Sequence, residues 1–313
     1  MIGIRRGMTI GDVILPSRTG FNHRCIWSCI VTLLLICQPF EYKALGLNFH
    51  HTDETTSNKD DRFHNNPEPI NLDLFVFLEG PYDADRDMMR SILYEKGYLP
   101  GQEPLTFFGS QEPAGQPYFR KPWSYDGIEG KDTRKGRDLY PQGAVDWVLV
   151  SLRSEHDSSS EVYRSPAILI DDGSIFFNES WLPHGLDPKQ PYFVVIEHRN
   201  HLLVMSSDPI SLKNGSLTFD FRKEQSFKSL FGHGQKEVAP GIYAMFAGNV
   251  GQTGMSNTVN DINYDDINGW AEMNGKNSAY LLEDIDLDGD VNVKDSQFIF
   301  SNLGIFSDVD QQH

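Results

Sequence analysis

From Asp284 the chain reads Asp-Ile-Asp-Leu-Asp-Gly-Asp-Val-Asn-Val-Lys-Asp and ends the run at Asp295. Side chains carrying oxygen fall at the first, third, fifth, ninth and twelfth positions, and Gly289 takes the sixth. So many carboxylates in so short a segment repel one another, and a hard cation would relieve that. Calcium takes six to eight oxygen ligands at roughly 2.3–2.6 Å, so a short loop encloses it only if alternate residues turn inward around a sharp bend. Glycine permits the bend at no steric cost. The expected ligands are the carboxylates of Asp284, Asp286 and Asp288, the main-chain carbonyl of Asp290, Asn292 directly or through water, and Asp295. Val291 should point into the core. Stretches rich in Asp and Gly are commonly solvated turns, but here five side-chain positions and the glycine match together.

Phe298, Ile299 and Leu303 follow at a spacing suited to one helix. Loop and helix together resemble a dockerin-type repeat, a half EF-hand, although Asp295 is shorter than the glutamate usual at the twelfth position. The resemblance implies a pair of repeats, and the preceding sequence offers an eroded one. It runs Ala247-Gly-Asn249-Val-Gly251-Gln-Thr253-Gly254, then Asn263-Tyr-Asp265-Asp266-Ile267. Asn249, Thr253, Asp265 and Asp266 could form a second, weaker calcium site. Gly251 offers no side chain where a ligand is expected, and the alternative is a repeat kept only to pack against its partner.

The N-terminus has arginines at Arg5, Arg6, Arg18 and Arg24, then an apolar run from Cys25 to Cys37. That is the pattern of an export signal, too short for a comfortable bilayer span, so residues 1–46 are expected to be removed. All three cysteines lie in that run, which leaves a mature chain without disulfides or thiolate metal sites. Residues 47–70 are polar and read as a flexible tether. The formal net charge of −17 disfavours nucleic acid and anionic membrane surfaces as partners and attracts calcium.

Residues 71–245 read as an antiparallel β-sandwich. Candidate strands are 72–78, 145–152, 167–170 with 174–177, 192–198, 202–205 and 217–221, separated by turns such as Asp171-Asp-Gly173 and Lys213-Asn-Gly215. One helix is expected over 87–96. The stretch 101–143 is long and irregular and holds Phe107, Phe108, Tyr118, Phe119, Trp123 and Tyr125. Those aromatics could stack on a glycan or pack back onto the sandwich. Residues 246–304 form the small α module of dockerin-like repeats, and 305–313 a tail.

The segments Leu78-Glu-Gly-Pro-Tyr82, Val145 to Arg153, Ala167 to Gly173 and Val194 to Leu202 recur in a familiar order. Over residues 72–304 the chain resembles a β-rich module at the C-terminal end of secreted surface proteins of Bacteroidetes-type bacteria, loosely labelled haemagglutinin-related. That resemblance implies no established reaction.

Catalysis finds little support in the residues. No Gly-x-Ser-x-Gly nucleophile elbow and no strand-to-helix phosphate loop occurs. His198 and His201, three apart in an extended strand, should face opposite ways and share no metal. The sequence therefore points to a secreted or cell-surface, calcium-binding, non-catalytic protein whose dockerin-like module docks a protein partner or stiffens the C-terminal end. The alternative is a carbohydrate-binding or polysaccharide-degrading extracellular protein.

Overall fold

The computed structural model describes residues 69–102, 114–131, 140–223, 225–251, 260–277 and 279–311. The expected signal segment, most of the expected tether, Phe107, Phe108 and Thr253 lie outside the described residues. In chain order the elements are β1 (Asn71–Phe75), β2 (Tyr82–Asp83), β3 (Met88–Met89), α1 (Ile92–Lys96), β4 (Ala144–Arg153), β5 (Glu161–Ile170) and β6 (Ile175–Phe176). There follow β7 (Phe193–His198), β8 (His201–Met205), β9 (Ser216–Asp220), β10 (Lys236–Ala239), β11 (Ile242–Ala244), α2 (Tyr264–Met273) and α3 (Val293–Ser301). The protein is mainly β.

Its centre is an antiparallel sheet in the spatial order β6-β5-β4-β7-β8. Every residue of β4, β7 and β8 is buried, so the sheet is covered on both faces, and these strands read as nearly continuous apolar runs. Alternation still sorts the side chains. Val194, Ile196 and Val204 join Val148, Val150 and Leu152 in the main core, while Phe193, Val195, Leu203 and Met205 turn to a separate cluster.

Over the first face lies the pair β1–β9, with Leu72 opposite Leu217 and Leu74 opposite Phe219. This pair is parallel, a departure from the all-antiparallel expectation. Strand direction here follows from the route of the intervening chain, which composition does not encode.

The second face is covered in part by the C-terminal residues. Val309 enters the cluster of Phe193 and Met205, Ser307 Oγ donates to Leu203 O at 3.1 Å, and Arg153 Nη1 donates to Asp310 O at 2.7 Å. Ser307, Val309 and Gln311, in the stretch 305–313 expected to be a tail, are therefore packed against the sheet, while Asp308 and Asp310 stay exposed.

Other expectations are also revised. The helix over 87–96 shrinks to α1, because Asp87 turns left-handed at φ 51° and Met88–Met89 pairs back onto Tyr82–Asp83. β5 starts at Glu161, six residues before the apolar run, since register with β4 carries its polar half. The β10–β11 hairpin lacks a strong alternating signal. Tyr118 and Trp123 are buried edge to face at 5.2 Å, with Tyr118 Oη donating to Trp147 O at 2.7 Å. That removes Trp123 as a surface platform for sugars. Among the described residues, no helix is long and apolar enough to cross a membrane.

Candidate metal centre

The loop ahead of α3 is shaped by local chemistry. Asn292 caps α3, its Oδ1 accepting from Lys294 N at 2.9 Å, and Asp295 Oδ2 reaches back to accept from Asn292 N at 2.8 Å. The other oxygen of Asp295 accepts from Ile285 N at 2.7 Å and Asp286 N at 3.1 Å, so this carboxylate ties the two ends of the loop together. Asp284 accepts from Asp288 N at 3.0 Å and Gly289 N at 2.9 Å. Gly289 stands at φ 89°, as its place at the bend requires, and Tyr98 lies where a Cβ would project, 2.6 Å away.

The outcome is a convergence of buried carboxylates. Oxygens of Asp284, Asp286 and Asp295 lie within 4.8 Å of one another. Asp288 stands at the rim, its Oδ2 3.8 Å from Lys294 Nζ. Asn292 Nδ2 donates to Asp290 O at 3.0 Å, which places those two expected ligands beside each other. Val291 is buried, and its N and O pair with Lys276 and Gly275.

Burial pushes the Asp284 carboxyl well above the ordinary range, with the charges of Asp295 and Asp286 adding to the shift and Arg199 opposing it. Burial likewise raises Asp286 to about 6, helped by Asp288 and Asp295, and raises Asp295 against its backbone hydrogen bonds. Desolvated carboxylates facing one another are costly unless they take up protons or share a cation.

The eroded repeat has the same plan. Asn263 caps α2, and Asp266 Oδ2 accepts from Asn263 N at 2.6 Å while Oδ1 accepts from Val250 N and Gly251 N, each at 2.6 Å. Asp266 thus matches Asp295, Asn263 matches Asn292, and Asn249-Val250-Gly251 matches Asp284-Ile285-Asp286. The inserted length is visible: eighteen residues run from Asn249 to Asp266 against twelve from Asp284 to Asp295. Asn249 is buried near Asp266, whereas Asp265 is exposed on α2 and does not join them.

Both repeats rest on a cradle that the sequence did not announce. The β7–β8 turn supplies Asn200, whose backbone O accepts from Gly248 N at 3.0 Å and Asn249 N at 3.2 Å. Its Nδ2 donates to Leu282 O at 3.0 Å and Asp284 O at 2.7 Å. One residue therefore holds the first position of both loops. Arg199 Nη1 donates to Leu281 O, and the guanidinium lies over the Tyr280 ring at 4.3 Å. Gly80 passes so close to the loop that a Cβ there would sit 2.0 Å from Ile285 O. Lys96 Nζ donates to Asp288 O at 2.6 Å, and Arg90 Nη2 lies 3.5 Å from Asp286 Oδ2.

Beneath the turn lies a buried polar network centred on Asp146. It accepts from Arg199 Nε at 2.7 Å, Tyr280 Oη at 2.6 Å, Trp147 N at 2.7 Å and His198 Nε2 at 3.3 Å. Burial opposes ionisation there, but Arg199 and His198 outweigh it and hold Asp146 at about 2. His198 and His201 do not face opposite ways as expected; they oppose each other across the hairpin turn, Nδ1 to Nδ1 at 3.0 Å. Gly80 N donates to His201 Nε2 at 3.2 Å, so Nδ1 carries the proton of a neutral His201 and His198 Nε2 donates to Asp146. Burial lowers both imidazoles, His201 the more strongly.

No known protein family and no curated protein matches the sequence. Among solved structures, two type II cohesin-X-dockerin complexes from Acetivibrio cellulolyticus are similar, an N-terminal and a C-terminal interface mutant. Each is 15% identical and is matched over 51% of this chain and 82% of its own, with TM-scores of 0.32 and 0.31, values too low to bear on function.

Proposed function

We propose that this is a secreted or cell-surface, non-catalytic calcium protein in which a half EF-hand loop, residues 284–295, binds one ion and clasps two dockerin-like repeats to a two-layer β-sandwich. The observation that carries the reading is the convergence of Asp284, Asp286 and Asp295 within 4.8 Å in a buried setting. Asp288, the carbonyl of Asp290 and Asn292 would complete an all-oxygen set suited to calcium. The bonds from Asn200, Lys96 and Arg90 favour stabilisation of the C-terminal end as the ion's role, while docking of a protein partner remains the second use of such a module. The eroded repeat serves as a packing counterpart. Export rests on the apolar run after Arg24, and the surface setting on the resemblance of residues 72–304.

Titration calorimetry on the full mature chain tests this, with one calcium per chain expected. Asp288→Ala is the discriminating variant, because its side chain sits at the rim and supports less of the loop than Asp284 or Asp295. Unchanged calcium binding in that variant would sink the ligand assignment. Intact mass of the exported chain checks loss of residues 1–46.

A further inference from the structure

We propose that Lys236, Glu79 and Asn302 form a self-processing isopeptide site, in which Lys236 Nζ displaces the side-chain nitrogen of Asn302 and joins β10 covalently to the end of α3. The inference does not depend on the calcium reading. Three distant parts of the chain meet here: Glu79 follows the extension of β1, Lys236 opens β10, and Asn302 caps the C-terminus of α3. Glu79 and Asn302 are buried, and the Lys236 side chain is 30% exposed.

The geometry sets nucleophile, electrophile and proton carrier around one carboxylate. Lys236 Nζ donates to Asn302 Oδ1 at 2.8 Å, one bond from the carbon to be attacked, and donates closely to Glu79 Oε1. The other oxygen, Glu79 Oε2, accepts from Asn302 Nδ2 at 2.7 Å and from Ala247 N at 2.9 Å. Asn302 Nδ2 is also fixed by Ala247 O at 2.8 Å, so the amide plane cannot rotate away. An ordinary ion pair needs only the Lys–Glu contact. Here one carboxylate oxygen faces the attacking nitrogen and the other faces the leaving nitrogen, an arrangement suited to general base and then general acid work.

The step balances without a co-reactant. Glu79 takes a proton from the Nζ ammonium, and the freed amine attacks Asn302 Cγ, forming the Nζ–Cγ bond. The Cγ–Nδ2 bond breaks, and the two protons shed by Nζ pass through Glu79 to Nδ2, which departs as ammonium. Glu79 ends as the carboxylate it began as. Holding amine and amide together makes the reaction effectively intramolecular, worth several powers of ten in rate. A pocket of about 380 Å³ lined by Glu79, Arg90, Asp286, Phe298 and Ser301 opens beside this carboxylate.

The test is the intact mass of the purified, folded chain, with its N-terminus read separately, followed by tandem mass spectrometry of a digest. The expected result is a mass lower by one ammonia and a branched peptide linking Lys236 to Asn302. Lys236→Arg keeps the positive charge and should restore the full mass with an unchanged far-UV spectrum. Asn302→Asp should close with loss of water instead, and Glu79→Gln should stay open. A folded wild-type chain of full mass overturns the proposal. So does an ammonia loss that persists in Lys236→Arg, which would place it at an asparagine–glycine succinimide such as Asn214-Gly215.

Discussion

Calcium should stabilise far more than its own loop. Ile285 and Ile299 share a buried cluster with Leu202 of β8, Tyr280 Oη reaches Asp146 of β4, and Asn200 grips the first positions of both repeats. A ligand that binds only the folded form adds RT ln(1 + [L]/Kd), about 2.7 kcal/mol at a hundred times Kd. For a domain of this size each kcal/mol moves the midpoint by roughly 2–4 °C, so chelation should lower it by about 5–11 °C. The assay is thermal unfolding followed in the near-UV, where Trp147, fully buried with its ring 5.7 Å from that of Trp181, reports on the sheet. Asp288→Ala should abolish the shift. If chelator melts the helical signal of α2 and α3 but leaves the tryptophan transition where it was, the repeats unfold independently and the cradle transmits nothing.

Three further outcomes are expected. His198 and His201 have folded pKa values below the unfolded value near 6.5, so their contribution is complete above that pH and is lost as pH falls below it. In saturating calcium, urea midpoints at pH 5.5 should fall from those at pH 7.5 by roughly 1–3 kcal/mol in stability, at about 1.4 kcal/mol per pH unit per histidine; a flat profile would contradict buried neutral imidazoles. Asp146, already held at about 2, contributes nothing to loss in that window. Gly80→Ala drives a Cβ against Ile285 O and should cost about 1–3 kcal/mol and weaken calcium affinity, both read by calorimetry, and wild-type affinity would argue against close packing of the loop. Asp266→Asn should destabilise by about 1–3 kcal/mol through its three backbone donors yet leave calcium stoichiometry at one. A stoichiometry falling from two to one would instead make the first repeat a working site.

The convergence of Asp284, Asp286 and Asp295 was legible because its signal is local. Oxygen-bearing residues at alternate positions and Gly289 at the bend lie within twelve residues, and the short-range geometry, with the Asn292/Asp295 cap that the structure adds, follows from them. Strongly apolar runs likewise located β4, β7 and β8, since burial on both faces leaves few polar residues in them. The eroded repeat was visible as residues but not as a plan: only the three backbone donors on Asp266 show that it matches Asp295. Tertiary structure alone decided the rest. The parallel pairing of β1 with β9, the burial of Val309, the meeting of His198 with His201 and the gathering of Glu79, Lys236 and Asn302 all join groups whose partners are set by the path of the whole chain. Hydrophobic pattern specifies that a strand is buried; which strand lies beside it, and which polar groups are carried in with it, depends on long-range register.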